Sequence, residues 1–290
     1  MVETNQEPQR LQTFLSIPLS CIIPILIQEV IQKGNDYEAS LYKIAIDPAY
    51  NKLTKEGGNS VQDTFVLKVQ CSLNQHKNEL DAYTYFQNCP DKNIVQYYGS
   101  FCQKRHFCLL LEYIDGGNLE NYFSSIDPPK SAEDQHLFLT SFFGAYRGLH
   151  RIHQASRAVG HVRGIHGDIK PDNLLLVKGT SGNIYDFTLK FADFGHSHFC
   201  HVRTDDQQQP NLDRHGNQTY SAPEAIHHTR FLEAGPNWIN YAADIFSMGA
   251  ITSEAIVWMV YGGKGLTQYS DNRRRLISSL PSFKGSGCDA

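Results

Sequence analysis

The sequence predicts an α+β fold of two lobes, a small β-rich lobe followed by a mainly α-helical one, on three observations. Before residue 114, short runs of β-branched and aromatic residues alternate with turn-rich joints, and one segment has helical period. Beyond residue 117 the chain turns helical, over Asn118 to Phe123 and Asp134 to His153. Between the two regimes lies Asp115-Gly116-Gly117, a cluster of turn residues that reads as a hinge. A length of 290 residues agrees with two lobes at about 150 residues per domain.

The elements follow in order. Residues 1–24 read as an N-terminal extension with no clear partner. Ile25-Leu26-Ile27 and Leu41 to Ile46 are strand-like, and the polar run Asp47 to Asp63, with Gly57-Gly58, reads as a long hairpin loop. Thr64 to Val69 is a third β-rich run. Leu73 to Gln87 carries Leu80, Tyr83 and Phe86 at helical spacing, and Cys89-Pro90 ends that helix. Ile94 to Phe101 and Phe107 to Tyr113 complete the first lobe as strands. The boundaries are therefore 1–24 for the extension, 25–114 for the N-lobe, 115–262 for the C-lobe and 263–290 for a polar tail.

Composition excludes several classes. Hydrophobic residues are 41% and charged residues 19%, which rules out collagen-like, coiled-coil and fully disordered chains. With 26 Lys+Arg against 30 Asp+Glu the net charge is −4, so bulk nucleic-acid binding is not expected. Seven cysteines without a C-x-x-C pair point to free thiols in a reducing, cytoplasmic or nuclear compartment. The apolar stretch Phe14 to Ile27 contains Pro18 and Pro24 and falls short of the ~20 residues a membrane span needs. Neither a membrane nor a secretory leader is expected.

The chemistry is concentrated in His166-Gly167-Asp168-Ile169-Lys170-Pro171-Asp172-Asn173, followed by the strand Leu174 to Val177. Asp193-Phe194-Gly195 comes twenty-five residues after Asp168, and Ala222-Pro223-Glu224 later still. Phosphoryl transfer needs positioning and neutralisation of phosphate charge more than covalent help. A carboxylate at Asp168 can orient or deprotonate a hydroxyl, Lys170 can reach the transferred phosphate, and Asn173 and Asp193 are hard oxygen donors suited to Mg²⁺. Taken singly, Asp172-Asn173 could be a turn and Asp193 a cap. The three motifs in this order resemble those of eukaryotic protein kinases, H-R-D-L-x-x-x-N, D-F-G and A-P-E. The resemblance covers residues 25 to 262 and implies a bilobal protein-kinase-like fold that uses ATP and Mg²⁺.

It also implies roles in the first lobe. Phe65-Val66-Leu67-Lys68 matches the V-A-I-K strand, which gives Lys68 the α/β-phosphates. Glu79 is the candidate ion-pair partner, although it lies only eleven positions after Lys68, with a solvated helix glutamate as the alternative. Glu112-Tyr113-Ile114 is similar to the hinge that holds adenine by its backbone, with Leu111 as gatekeeper, and Asn118 stands where a ribose contact is expected. In the glycine-rich loop only Gly34 fits the pattern, and Asp36 and Glu38 nearby imply weaker ATP binding. Asp244-Ile245-Phe246-Ser247-Met248-Gly249 resembles the start of the central C-lobe helix, whose Asp244 would bond the catalytic-loop backbone. Tyr83, Tyr97, His166 and Phe194 match the column of side chains that supports the D-F-G segment.

Lys170 in D-x-K-P resembles serine/threonine kinases, while Asn217 replaces their usual threonine. Gly167 replaces the arginine that pairs with a phosphorylated activation loop, and the usual phosphosite falls on Asp213. Activity is therefore expected not to depend on phosphorylation there. His196-x-His198-x-Cys200-His201 reads as a polar activation loop sooner than as a zinc site. His150 to Gly164 reads as a solvated insertion. The expected partner is a protein substrate. The alternative function is a catalytically weak or inactive kinase-like interaction or regulatory protein, and a regulatory or completing partner protein is a candidate beside the substrate. After a helix at Asp244 to Val260 the sequence is polar, so the C-lobe is expected to lack its last helices, leaving Ile245, Met248, Ile251 and Ile256 partly uncovered.

Overall fold

Six strands form the larger sheet in the order β1-β5-β6-β4-β3-β2, with β1 at Leu15–Ser16, β2 at Ile25–Gln32, β3 at Ser40–Ile46, β4 at Thr64–Gln70, β5 at Tyr97–Gln103 and β6 at His106–Glu112. The structure, a computed structural model, describes residues 15–18, 20–34, 38–51, 53, 63–87, 90–154, 162–201, 219–222 and 241–279. The expectations for Asp36, Cys89, Asp213, Asn217, Pro223, Glu224 and Cys288 lie outside these residues.

The chain divides into two units, Met1–Leu80 with Gln96–Tyr113, and Asp81–Val95 with Ile114–Ala290. The chain passes between the units three times, inside helix α1 (Leu73–Gln87) after Leu80, after Val95 and after Tyr113. In the first unit β2, β3, β4, β6 and β5 pair antiparallel along the sheet. Alternation on β4 sends Phe65 and Leu67 into a core with Ile44 and Cys108, and Tyr98 meets Phe65 edge-on at 5.2 Å. The same alternation turns Lys68 and Gln70 to the opposite face of β4.

Two expectations for this unit change. Part of the extension has a partner, because β1 adds in parallel to β5 and the Ile17 N–H donates to the Cys102 carbonyl at 2.9 Å. An extended segment laid along the edge of a sheet satisfies backbone groups there, and β1 does so for Phe101 and Cys102 of β5. The strand expected from Ile94 starts at Tyr97 instead, since Ile94 bridges to Phe191 and the Val95 N–H donates to the Phe191 carbonyl.

The second unit holds α2 (Leu119–Ser125), α3 (Ala132–Phe143), α4 (Ala145–His153), β7 (Val162–Ile165), a 3₁₀ turn (Pro171–Asn173), β8 (Leu174–Lys178), β9 (Phe187–Phe191), β10 (His198–His201) and α5 (Tyr241–Ser279). Ser131 caps α3 by accepting from the Asp134 N–H. The single helix expected over 134–153 is divided only slightly, because Gly144 between α3 and α4 keeps helical φ −54 and ψ −30. The core is aromatic. Trp258, fully buried, lies 5.1 Å from Phe138, 5.2 Å from Phe123 and 5.7 Å from Tyr122 between ring centroids.

Three more expectations are corrected here. The run after Asp193-Phe194-Gly195 is not loop throughout, since His198–His201 forms β10 antiparallel to β7. The described parts of the 150–164 segment belong to regular elements, the last turn of α4 and β7. The helix does not stop at Val260 but runs to Ser279, interrupted at Gly262, where φ 70 and ψ −173 are not helical. Polar side chains after the break pair locally and back onto the unit, which a hydrophobic pattern does not reveal. Met248 and Ile251 prove fully buried, whereas Ile245 and Ile256 are about half exposed. By length and composition α5 could cross a membrane over Tyr241–Ile277, but Met248, Ile251, Ala255 and Trp258 spend its apolar face on the core.

Candidate active site

The stretch from His166 to Asn173 is shaped by Asp244, in the first turn of α5. Its buried carboxylate accepts the His166 N–H at 2.8 Å and the Gly167 N–H at 3.0 Å, and His153 Nε2 lies 3.0 Å away. The sequence anticipates the first two bonds; His153, ninety-one residues from Asp244, carries no signal of the third. Gly167 has φ +80, and a Cβ there would lie 2.6 Å from the His196 carbonyl oxygen. Glycine at this position is therefore a conformational requirement, a second role beside the missing arginine.

His166 is fully buried, and burial pulls its pKa down against the pull of Asp244, Asp168 and Asp193. The neutral ring accepts the Asp168 N–H at Nδ1 (3.3 Å), which leaves Nε2–H to donate to the Ala192 carbonyl at 3.1 Å. It thereby ties the His166–Asn173 stretch to the segment before Asp193.

Asp168, Lys170 and Asn173 are brought together. Lys170 Nζ is 2.7 Å from Asp168 Oδ2. Asn173 Nδ2 donates to the Asp168 carbonyl at 2.8 Å and to Oδ2 at 3.0 Å. The 3₁₀ turn starts with Pro171, whose fixed φ suits that position, and the Asn173 N–H closes it onto the Lys170 carbonyl. Because Nδ2 serves Asp168, the remaining ligand atom of that amide is its hard oxygen.

Asp193 reaches the same neighbourhood by sheet register. β8 pairs with β9 so that Leu174 opposes Phe191, and the Ala192 N–H donates to the Asn173 carbonyl at 2.9 Å. Asp193 has φ 62, rare for a side chain with a Cβ, and accepts the Gly195 N–H at 3.3 Å. The next residue, Phe194, is fully buried, 4.8 Å from His166, 5.3 Å from Tyr83 and 5.4 Å from Phe86. Phe194 thus meets two other members of the expected column, Tyr83 edge-on and His166 tilted, and the fourth, Tyr97, is on β5 in the first unit.

In the first unit Lys68 Nζ lies 3.0 and 2.8 Å from the two carboxylate oxygens of Glu79. Both side chains are buried, so the solvated alternative for Glu79 is set aside. Eleven residues suffice because α1 starts three residues after β4 ends and Glu79 is in its second turn. Gln70, two residues along β4 on the same face, also donates to Glu79, at 2.5 Å. That partner was missed; period-two alternation on β4 is the signal that could have found it. His76, one turn before Glu79, stacks on Phe107 at 5.1 Å, and its pKa falls to about 4 through burial and the nearby Lys68 charge.

The remaining residues have local duties as well. Glu112 holds Gln96 twice, its N–H donating to the Gln96 carbonyl and its carboxylate accepting the Gln96 N–H. Ile114 opens the longer segment of the second unit, Ile114–Ala290. Asn118 caps α2, its side-chain oxygen accepting the Asn121 N–H at 2.8 Å. The Gly34 N–H donates to Ser40 Oγ at 3.0 Å, and a Cβ on Gly34 would meet the Glu38 carbonyl oxygen at 2.2 Å. Beside the 3₁₀ turn, Glu120 is pushed up to about 7 by its hydrogen bond with Asp172, then by burial and by the charges of Asp172 and Glu254.

A family model described as the protein kinase domain matches residues 55–279. The chain is 28% identical over 201 residues to the serine/threonine-protein kinase VIK of Arabidopsis thaliana, covering 68% of this chain and 40% of the relative. It is 26% identical over 248 residues to the serine/threonine-protein kinase pakA of Dictyostelium discoideum, covering 82% of this chain and 18% of the relative. Mitogen-activated protein kinase kinase kinase 7 of Homo sapiens is 28% identical over 170 residues, which is 57% of this chain and 22% of that protein. The chain spans less than half the length of each of these relatives.

Proposed function

Since this chain belongs to the protein kinase family, we propose that it transfers the γ-phosphate of ATP to serine or threonine hydroxyls of protein substrates. One observation carries the reading: Asp168 has its carboxylate oriented by Lys170 at 2.7 Å and Asn173 at 3.0 Å. A serine hydroxyl brought to that carboxylate would be aligned for attack and would hand its proton to Asp168 as its oxygen bonds the γ-phosphorus and the β,γ-bridging P–O bond breaks, ADP being the leaving group. Lys170, half-buried, supplies positive charge where the transferred group becomes most negative. Lys68, held by Glu79, would bind the phosphates of ATP.

Asn173 and Asp193 fit Mg²⁺, because both present oxygen and the amide nitrogen of Asn173 is already used by Asp168. Bound Mg²⁺ and ATP supply the phosphoryl group and the neutralisation of its charge. An intracellular location, where ATP is abundant and thiols stay reduced, belongs to the same reading and agrees with the free cysteines 21, 71, 102 and 108. The degenerate glycine-rich loop, with Gly34 alone fitting the pattern, favours as a second reading a weak or inactive interaction protein.

The test measures transfer of labelled γ-phosphate to histone by the wild type beside Asp168→Asn and Asp193→Ala, with Mg²⁺-ATP binding followed by thermal shift. Transfer lost in both variants is expected. A signal unchanged in Asp193→Ala would defeat the assignment. Binding of Mg²⁺-ATP without transfer would favour the second reading.

A further inference from the structure

We propose that Arg273 is a positioning residue for protein substrate: it latches the segment Thr219–Tyr220–Ser221, which leads into Ala222, against the first part of α5. The proposal rests on the kinase reading, in which the residues before A-P-E form the peptide-docking segment. No motif includes Arg273, and the sequence reading assigned it to a polar tail.

The break at Gly262 is what delivers it. Nineteen residues separate Glu254 from Arg273, which would be about 28 Å along an uninterrupted helix. Instead Arg273 Nη1 is 3.1 Å from Glu254 Oε1, so the chain doubles back after Gly262. The guanidinium then makes three contacts at once. It pairs with Glu254, donates from Nη2 to the Thr219 carbonyl, and lies over the Tyr220 ring with 4.9 Å to the centroid. The Tyr220 hydroxyl donates to the same Glu254 carboxylate, 3.1 and 3.0 Å from its two oxygens.

The chemistry makes this a latch in preference to a chance surface pair. Glu254 is only 2% exposed, and a buried carboxylate without a cation is strongly disfavoured. Burial raises the Glu254 pKa while the Tyr220 hydroxyl and Arg273 pull it back. Arg273 is itself largely covered, its side chain 16% exposed. Only a planar fork can meet a carboxylate, a backbone carbonyl and a ring face together; an ammonium can satisfy the charge but not the geometry. A second tie from α5 to this backbone runs from the Ser247 hydroxyl to the Tyr220 carbonyl at 2.9 Å. That hydroxyl also serves the Ala243 carbonyl at 3.0 Å.

The experiment uses the full chain as wild type, Arg273→Ala and Arg273→Lys. Amide hydrogen exchange over residues 219–222 is read beside steady-state kinetics with histone and ATP. For Arg273→Ala, exchange in that segment should rise about tenfold and the histone KM about fivefold, with kcat and the ATP KM within about twofold. Arg273→Lys should fall between the two and covers the case in which the alanine variant does not fold. Unchanged exchange in 219–222 would overturn the proposal. So would loss of kcat and ATP affinity in step with the histone KM, or a gain of activity, which would mean that Arg273 obstructs the acceptor. A wild type that transfers no phosphate would sink the kinase reading alone, and the exchange arm would still decide whether Arg273 holds the segment.

Discussion

Replacing Gly167 by alanine should destabilise the second unit through two separable costs. The backbone there has φ +80, and holding an L side chain in that left-handed region costs about 1–2 kcal/mol. The new Cβ would also lie 2.6 Å from the His196 carbonyl oxygen, about 0.7 Å inside ordinary contact, and relieving that overlap costs about 1–3 kcal/mol. The total of about 2–5 kcal/mol corresponds to a melting temperature lower by about 5–15 °C in a chain of this size. Gly182 provides the control, because it has φ +76 but nothing within 4 Å of a Cβ. Gly182→Ala should show only the first cost, about 1–2 kcal/mol. Thermal melts of the two variants and the wild type measure the difference. Gly167→Arg, which restores the usual kinase residue, should be destabilised at least as much as the alanine variant. A Gly167→Ala melt within 1 °C of wild type, or one equal to Gly182→Ala, would refute the reasoning that the His196 carbonyl closes this site to a side chain.

Three further outcomes are expected. Glu79→Gln strips the buried Lys68 ammonium of its carboxylate and should cost about 3–5 kcal/mol in denaturant unfolding, with weaker ATP binding alongside; unchanged unfolding would mean that the pair is dispensable. His76 has its pKa lowered from 6.5 to about 4, so the folded state resists a proton that the unfolded chain takes up. That contribution, on the order of 2–3 kcal/mol, is present above pH ~6.5 and lost as the pH falls towards ~4, and His76→Phe should flatten the slope in that window. Glu120 is displaced the other way, up to about 7, by sharing a proton with Asp172. Its stabilisation is complete below the ordinary glutamate pKa and lost as the pH rises through about 7, so Glu120→Gln should gain melting temperature over wild type at pH 8 and not at pH 4.

Much of this protein follows from short-range pattern. Helix α1 spans Leu73–Gln87 as its periodicity predicts, and β3, β4 and β8 fall on their β-rich runs within a residue or two. Asp168, Lys170 and Asn173 could be named together because five residues of chain, one of them proline, hold them close in any compact turn. Lys68 and Glu79 met for a related reason, a strand leading almost directly into a helix. What the sequence left out depends on groups that are distant along the chain. The strand β1 forms by pairing with β5, and β10 by pairing with β7, and neither segment announces that by its own composition. Gly167 read as a missing arginine, since only the His196 carbonyl, twenty-nine residues away, reveals the space it must leave. Arg273 read as part of a polar tail, since its value lies in Glu254, Tyr220 and Thr219, which one backbone reversal at Gly262 brings within reach. Propensity and spacing are local energies and can be summed along the sequence. The desolvation of a carboxylate such as Glu254, and the cation it then requires, arise only once other parts of the chain have closed over it.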